Sequence, residues 1–465
     1  MPCASSLESG AERVRGGVQT VKAIPEKHRF AAILGGAGLM HLLWALFGVV
    51  PAPFSDAATL NEAATNLAAG HGFQAAGKVI TNYTPGWPAM LAFAYAIFGA
   101  HLVVLCLLNA SMIVATAALL GRLTASWMGE RAGLVVAFVV GTFPPLFFYQ
   151  NTANGECAVI FLSSAFLFLA LAKTPRVWDP PVMGATLGVL ALTKPELVLW
   201  GAAIPLAEIF REFGAKDRVG KSFGQKVLMA LRTRRMWVAV PIAAAVSLVF
   251  VLGWIQRNSN LVGRRVPVSS TSGYAIWMTA HEPQLFEQNQ ELFDAWARCD
   301  ALPGPHDDFA RDACLQAEGK GFVMANPPLF LKKAVRNVPR MLFGSHTEIF
   351  PPLGAAYGTH RAEGAWGKLA IKLGLFAYWT AIVGFGFVGI VRLRKYALFW
   401  PVIYALAVKV VAHAILFATP RYGLHLLPFF MLGLGTFFVP KKASKGDDTP
   451  PVTEPAELPV APSAA

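Results

Sequence analysis

Long apolar runs broken by short polar connectors set the pattern of this chain. Residues 30–50, 237–255 and 368–391 are each long enough to cross a hydrocarbon layer, which takes about 20 helical residues. Further apolar runs lie at 101–120, 132–148, 157–172, 182–192, 197–210, 396–417 and 422–439. Together they predict an all-α polytopic membrane protein with about ten transmembrane helices. The connectors are of two alternating kinds. Those at 122–131, 173–176, 211–235, 392–395 and 441–445 are rich in Lys and Arg, the mark of cytoplasmic loops. Those at 56–88, 149–156, 193–196, 256–366 and 419–421 are mixed, and parity places them outside with both termini cytoplasmic. Residues 88–99 are apolar but short. A separate span there would turn every later basic connector outward, so they read as a juxtamembrane or re-entrant piece.

Composition sharpens this picture. Of 465 residues, 55% are hydrophobic and 14% charged, whereas a soluble domain carries about a quarter charged residues. A formal charge of +13 would suit nucleic acid in a soluble protein. In this chain the Lys and Arg fall between apolar runs, where they orient the protein among membrane lipids, so no nucleic-acid partner is expected. Residues 1–29 form a polar cytoplasmic segment with Arg13, Arg15, Lys22, Lys27 and Arg29. The run after it is long for a signal-peptide core and reads as a retained anchor. Residues 30–255 then form an N-terminal transmembrane module whose first extracytoplasmic loop is 51–100. Residues 256–366 are a large, mixed extracytoplasmic loop region and 367–440 the C-terminal transmembrane helices. Residues 441–465, rich in Pro, Ala and Thr, read as a disordered cytoplasmic tail. No repeat of fixed period is visible, which weakens an inverted-repeat transporter.

The five cysteines form no CxxC pair and no zinc spacing, which argues against a structural metal. Cys299 and Cys314 share the large outward loop, the compartment where disulfides persist. Cys3 lies in the N-terminal segment, Cys106 within a span and Cys157 at a helix start. A bridge between Cys299 and Cys314 would stabilise by about 3 kcal/mol; two free thiols are the alternative.

The same topology gathers Asp56, Glu62, residues 83–88, Glu156, Lys194 and Arg421 on one side. Ionisable groups at membrane depth cost a few kcal/mol unless paired, which makes each a functional candidate. Two acids and several cations at one surface suit transfer of a group from an anionic lipid. An acid takes the acceptor's proton while cations hold the departing phosphate. Each residue has a structural reading too. Asp56 precedes an amphipathic helix and can serve as its N-cap, and Thr59 with Glu62 fits a capping box. Glu156 sits in the first turn of a helix, where a carboxylate offsets the dipole. Lys194–Pro195 fits a helix break with a snorkelling lysine. From spacing alone the structural readings come first, because such groups outnumber functional ones. The segment GAKDRVGKS at 214–222 imitates a phosphate-binding loop, but it has five residues between its glycines and no preceding strand.

The stretch DAATLNEAATNLAAGHGF at 56–73, followed by TNYTPGWPAMLAFAYAIFG at 81–99, resembles the first extracytoplasmic loop of GT-C glycosyltransferases. It is similar to the branch containing the protein O-mannosyltransferases and the lipid A aminoarabinose transferase. That branch shows an early acid, an A-x-x-L-x-x-G-x-G helix and a PPG[YF]P-like turn; Thr84 replaces its first proline. The resemblance continues through PPLFFYQNTANGE at 144–156, LGVLALTKPE at 187–196 and TPRYGLHLLPFF at 419–430. It implies a GT-C-like bundle, probed by four candidate groups. Asp56 matches the catalytic acid, and Glu156 a second acid beside the donor phosphate, often discussed with a metal or an acceptor contact. Lys194 and Arg421 match phosphate contacts, with Arg264, Arg265 and His281 as competing contacts in the large loop. Tyr83, Pro85, Gly86 and Trp87 form the substrate loop. Many protein mannosyltransferases carry Asp-Glu where this chain has Asp56-Ala57, which favours a bacterial-type inner-membrane enzyme acting on a lipid or glycan acceptor over a protein one.

The resemblance therefore implies transfer of a sugar from a polyprenyl-phosphate donor to an extracytoplasmic lipid, glycan or protein acceptor, with inversion. It names no certain cofactor and leaves a divalent metal open. The absence of a DxD motif fits a lipid-linked donor. A transporter or flippase for an anionic or polyprenyl-linked lipid is the alternative, since it too would keep ionisable residues near the membrane.

Overall fold

The computed structural model describes residues 26–172, 176–213, 222–285, 290–302 and 308–439. Its first helix, α1 (Glu26–Phe47), leaves Leu39, Leu43, Leu46 and Phe47 exposed, a surface suited to a lipid surrounding. The first loop folds into α2 (Asp56–Ala68), a short hairpin and the apolar α3 (Gly86–Phe98). The hairpin pairs β1 (Gln74–Ala75) with β2 (Lys78–Val79), antiparallel, with Gln74 opposite Val79. These are the only strands among the described residues. Residues 88–98 of the piece expected to be juxtamembrane or re-entrant thus belong to a helix of 13 residues, with Gly99 just past its end.

α4 (Leu102–Met128) turns back at Gly129 into α5 (Glu130–Gly141), and α6 (Pro144–Gln150) continues α5 after a 47° bend. Pro144 and Pro145 explain that bend, because neither can donate to the preceding turn. α4 and α5 touch backbone to backbone. A Cβ on Gly133 would lie 2.5 Å from the Gly121 carbonyl, a fit only small residues permit between membrane helices. α7 (Glu156–Leu171), α8 (Asp179–Ala191) and a 3₁₀ segment, Pro195–Ala202, lead into α9 (Ala203–Phe213), α10 (Phe223–Leu231) and α11 (Arg234–Val262). Most of the phosphate-loop imitation falls outside the described residues. Its last residue, Ser222, caps α10 in a reciprocal pair with Gln225.

The large loop region is helical: α12 (Ser272–Leu285), α13 (Gln290–Asp300), α14 (Asp308–Ala325) and α15 (Pro327–Leu342), then the short α16 (Pro351–Gly354) and α17 (Tyr357–Ala362). Cys299 and Cys314 form a disulfide joining α13 to α14, and Cys299 is fully buried. The chain closes with α18 (Trp366–Arg392), α19 (Phe399–Ile415), the one-turn α20 (Pro420–Gly423) and α21 (Leu427–Gly435).

Among the described residues, four helices are long and apolar enough to span a membrane: α1, α4, α11 and α18, or five if the bent α5–α6 pair is one span. This is an integral membrane protein. The other expected spans exist as shorter elements: α7, α8 and α19 are single short helices, while 197–210 and 422–439 are interrupted by 3₁₀ turns. Pro195 and Pro428 stand at those interruptions, and a missing N–H breaks the regular ladder there.

Candidate active site

Three segments far apart in the chain meet at one point: the start of α2, the start of α7 and α20. Local chemistry holds each in place. Where α6 ends, its free carbonyls need donors in an apolar setting. Asn109 Nδ2 donates to the Gln150 and Thr152 carbonyls at 2.9 and 3.2 Å, and Asn151 Nδ2 to Val49 at 3.1 Å. Trp87 Nε1 donates to the Ala153 carbonyl at 2.7 Å, and its ring lies against Gly155, where a Cβ would come within 3.1 Å. Glu156 then opens α7. Gly86 clips a second segment: its N–H donates to Leu192 at 2.7 Å, and a Cβ there would collide with Thr193 beside Lys194. Pro85 occupies the N-cap position of α3. The substrate-loop candidates Pro85, Gly86 and Trp87 therefore position the Glu156 and Lys194 turns, while Tyr83 alone of the four reaches the acids.

Arg421 bridges the two acids. Its Nη2 lies 3.3 Å from Asp56 Oδ2 and its Nε 3.2 Å from Glu156 Oε1. The Tyr83 hydroxyl donates to Asp56 Oδ1 at 2.6 Å, and Arg421 Nη2 also donates to the Tyr422 hydroxyl at 3.3 Å. The two acids differ in access: the Asp56 side chain is 39% exposed and that of Glu156 only 2%. A substrate can reach the first but not the second. Burial alone would raise the Asp56 carboxyl, but the Tyr83 hydroxyl and Arg421 outweigh it and hold it below the usual carboxylate range. The Tyr83 hydroxyl is pushed up by burial and by the Asp56 carboxylate, so it stays a neutral donor. Burial opposes the Arg421 charge, yet Glu156, Tyr422 and Asp56 hold it firmly protonated.

The structure overturns two structural readings. Ser55, at φ 51°, holds the N-cap position of α2, and Asp56 is the first helical residue with its oxygens on Tyr83 and Arg421. Thr59 lies inside α2, so it cannot cap. Glu62 Oε1 instead accepts from Ala76 N–H at 2.7 Å, tying α2 to the hairpin turn.

Lys194 is the N-cap residue of the 3₁₀ segment. Among the described residues it forms no ion pair; its ammonium lies 5.0 Å over the Tyr422 ring. Near that ring is a second charged set that sequence reasoning missed. Lys409 Nζ lies 2.8 Å from Glu196 Oε1, and His413 Nε2 3.4 Å from the same oxygen. His413 also stacks on Tyr422 with centroids 4.4 Å apart. The signal was present in the sequence: a lysine and a histidine four residues apart in an apolar run share one helix face.

The large loop docks onto the first loop. Thr81 donates to Asp308 Oδ2 at 2.8 Å, Ser270 N–H to the Thr81 carbonyl at 3.1 Å, and Arg257 to the Ile80 carbonyl at 3.0 Å. This brings Tyr274 of α12 toward Asp56; burial and that carboxylate both raise its hydroxyl. Arg264 and Arg265 stay out of the Asp56–Arg421–Glu156 set. They lie exposed just past Gly263, whose left-handed φ of 69° turns the chain away at the end of α11. His281 falls within α12, but its side chain lies outside the described residues.

Divalent metals favour several converging carboxylate oxygens. Among the described residues no group of three His, Cys, Asp or Glu side chains is arranged to hold one. The guanidinium of Arg421 occupies the space between Asp56 and Glu156 that a shared cation would need. As arranged, the pair does not fit a metal.

No family model matches the chain, and no curated protein matches it. Among solved structures it is similar to the Archaeoglobus fulgidus oligosaccharyltransferase crystallised with Zn and sulfate, at 13% identity and a TM-score of 0.46, over 87% of this chain and 48% of that one. A second likeness is to the archaeal oligosaccharyltransferase AglB of the same organism with an inhibitory peptide and a dolichol-phosphate, at 14% identity and a TM-score of 0.41, over 88% and 50%. A third is to ArnT from Cupriavidus metallidurans bound to undecaprenyl phosphate, at 13% identity and a TM-score of 0.34, over 88% and 77%. The chain spans about half the length of the oligosaccharyltransferase chains it matches.

Proposed function

We propose that the chain is a GT-C-type membrane glycosyltransferase that moves a sugar from a polyprenyl-phosphate donor to an extracytoplasmic acceptor. The observation that carries this reading is the single guanidinium of Arg421 held by both Asp56 and Glu156, which joins three of the segments on which the GT-C resemblance rests. Asp56, half open and ionised, faces the acceptor. The acceptor oxygen attacks the anomeric carbon as the carbon–oxygen bond to the phosphate breaks, and its proton passes to Asp56. A carboxylate held below its usual range is a weak base, so the proton moves late, when the acceptor oxygen has become acidic. One displacement inverts the anomeric centre.

Lys194 takes the phosphate in this scheme. Its ammonium makes no direct ion pair among the described residues and acts on Asp56 and Glu196 only at longer range, whereas Arg421 contacts two carboxylates directly. A phosphate leaving group needs charge stabilisation more than a proton, which a lysine supplies. Glu156, buried, fixes Arg421 and through it the orientation of Asp56. Lipid, glycan and protein acceptors all fit this chemistry, with Asp56-Ala57 favouring the first two.

The test uses purified protein in vesicles with a polyprenyl-phosphate-linked sugar and candidate acceptors. Product formed by the native chain and lost in Asp56→Asn, with the variant still folded, supports the reading. Near-normal transfer by Asp56→Asn at saturating donor removes Asp56 from the chemistry. Movement of the lipid across the vesicle without any transfer product would favour the flippase instead.

A further inference from the structure

α15 carries three stripes along its length. Lys333, Asn337 and Met341, spaced four apart, are buried. Asn337 Nδ2 donates to the Ala414 carbonyl at 3.0 Å, which lays this face of α15 across the end of α19. Around the helix from there, Leu331 and Val335 are 65% and 64% exposed. The third stripe, beside them, is Lys332, Arg336 and Arg340, again four apart and exposed. In water the Leu331–Val335 stripe would be costly. At a bilayer boundary the same arrangement is stabilising, with aliphatic groups among acyl chains and cations at phosphate level. The exposed Val411 and Ile415 of α19 continue the apolar belt to the edge on which α15 rests.

We propose that α15 is an interfacial helix seated on an anionic phospholipid surface, with Leu331 and Val335 in the acyl region and the basic stripe on the headgroups. This does not depend on the reaction assigned above. Its C-terminal end bears on the Arg421 turn: a Cβ on Gly423 would collide with the Met341 carbonyl, and one on Gly344 with Pro420. The leaflet that seats α15 thereby also seats the residue bridging Asp56 and Glu156.

The test places a nitroxide at Leu331→Cys, Val335→Cys, Lys332→Cys or Arg336→Cys in the full chain, with Cys3, Cys106 and Cys157 changed to Ala. Each variant is reconstituted in vesicles of phosphatidylcholine and phosphatidylglycerol, and an intact Cys299–Cys314 bridge reports folding. Labels at 331 and 335 are expected to be open to oxygen and shielded from a water-soluble nickel chelate, while those at 332 and 336 meet both. Equal access of the chelate at all four positions would overturn the proposal, as would exclusion of both reagents, which would mean a protein covers the face. A second measurement compares the chain's preference for spin-labelled phosphatidylglycerol over phosphatidylcholine. Lys332→Gln with Arg336→Gln should lower it about fivefold for each charge lost. An unchanged preference would refute the basic stripe's role.

Discussion

Two charged clusters meet at Tyr422, an upper and a lower one, and they are built differently. In the upper, Arg421 joins a half-open Asp56 to a buried Glu156. In the lower, Lys409 is fully buried against Glu196, with His413 on the same oxygen. The lower set brings an acid, a lysine and an imidazole together where no solvent reaches the lysine. Its geometry ties α19 to the 3₁₀ segment after α8 and leaves little to meet a substrate, the Glu196 side chain being 21% exposed. The upper set leaves the Asp56 carboxylate 39% exposed, with Lys194 near it and in no direct ion pair among the described residues. Charge in a membrane protein therefore divides by access: closed pairs join helices, and open ones are placed for chemistry.

Substitution should break the two clusters in opposite ways. Asp56→Asn keeps size and loses the base, so transfer is expected to fall by about 10²–10⁴-fold while the variant still folds. Lys409→Met should do the reverse. It leaves Glu196 buried without its main partner, a loss of about 3–5 kcal/mol of stability. Replacing both, as Lys409→Met with Glu196→Gln, should restore much of that stability, because no uncompensated charge remains. Unfolding followed in detergent measures the second pair of outcomes. Equal stabilities for the single and double variants would deny that the lower cluster is a closed structural pair.

A smaller effect tests the division within the upper cluster. Lys194→Gln should raise the KM for the lipid-linked donor by about tenfold, the scale of one charge-assisted hydrogen bond, with the fold intact. Arg421→Lys should lower kcat more than it changes donor affinity, since a lysine cannot hold both carboxylates through two separate nitrogens. The opposite split would return the phosphate to Arg421 and make Lys194 an anchor.

The apolar runs at 30–50, 237–255 and 368–391 were legible because uniform hydrophobicity over such lengths has one physical outcome. The shorter runs were legible as helices but not in their breaks, which depend on how Pro195, Pro428 and the Gly-lined contacts pack. Asp56, Glu156, Lys194 and Arg421 could be picked out one at a time by charge and resemblance. That one guanidinium would bridge the two acids could not, since nearly the whole chain separates Arg421 from Asp56. The exposed positions of Arg264 and Arg265, apart from the Asp56–Arg421–Glu156 set, were not legible either: sequence shows a cation in a loop but not which way the chain turns at Gly263. The Glu196–Lys409 pair stayed hidden until α19 was packed against its neighbour.

The finest test concerns acid. Asp56 is held below the usual carboxylate range because the donors around its charged form outweigh its burial. A carboxyl depressed on folding contributes stability that is fully present above its unfolded value of about 4 and is lost as pH falls through the lower folded value. Activity that needs the ionised base follows the same limb. Tyr83→Phe removes the hydroxyl that donates to Oδ1 at 2.6 Å, one of the groups that lower this carboxyl. Its loss moves the Asp56 value up, so the acid limb of kcat/KM should shift to higher pH in that variant. The native hydroxyl stays protonated through the neutral range, so the change should leave the alkaline side alone. An acid limb that stays in place, or moves down, would show that the group titrating in the rate is not Asp56.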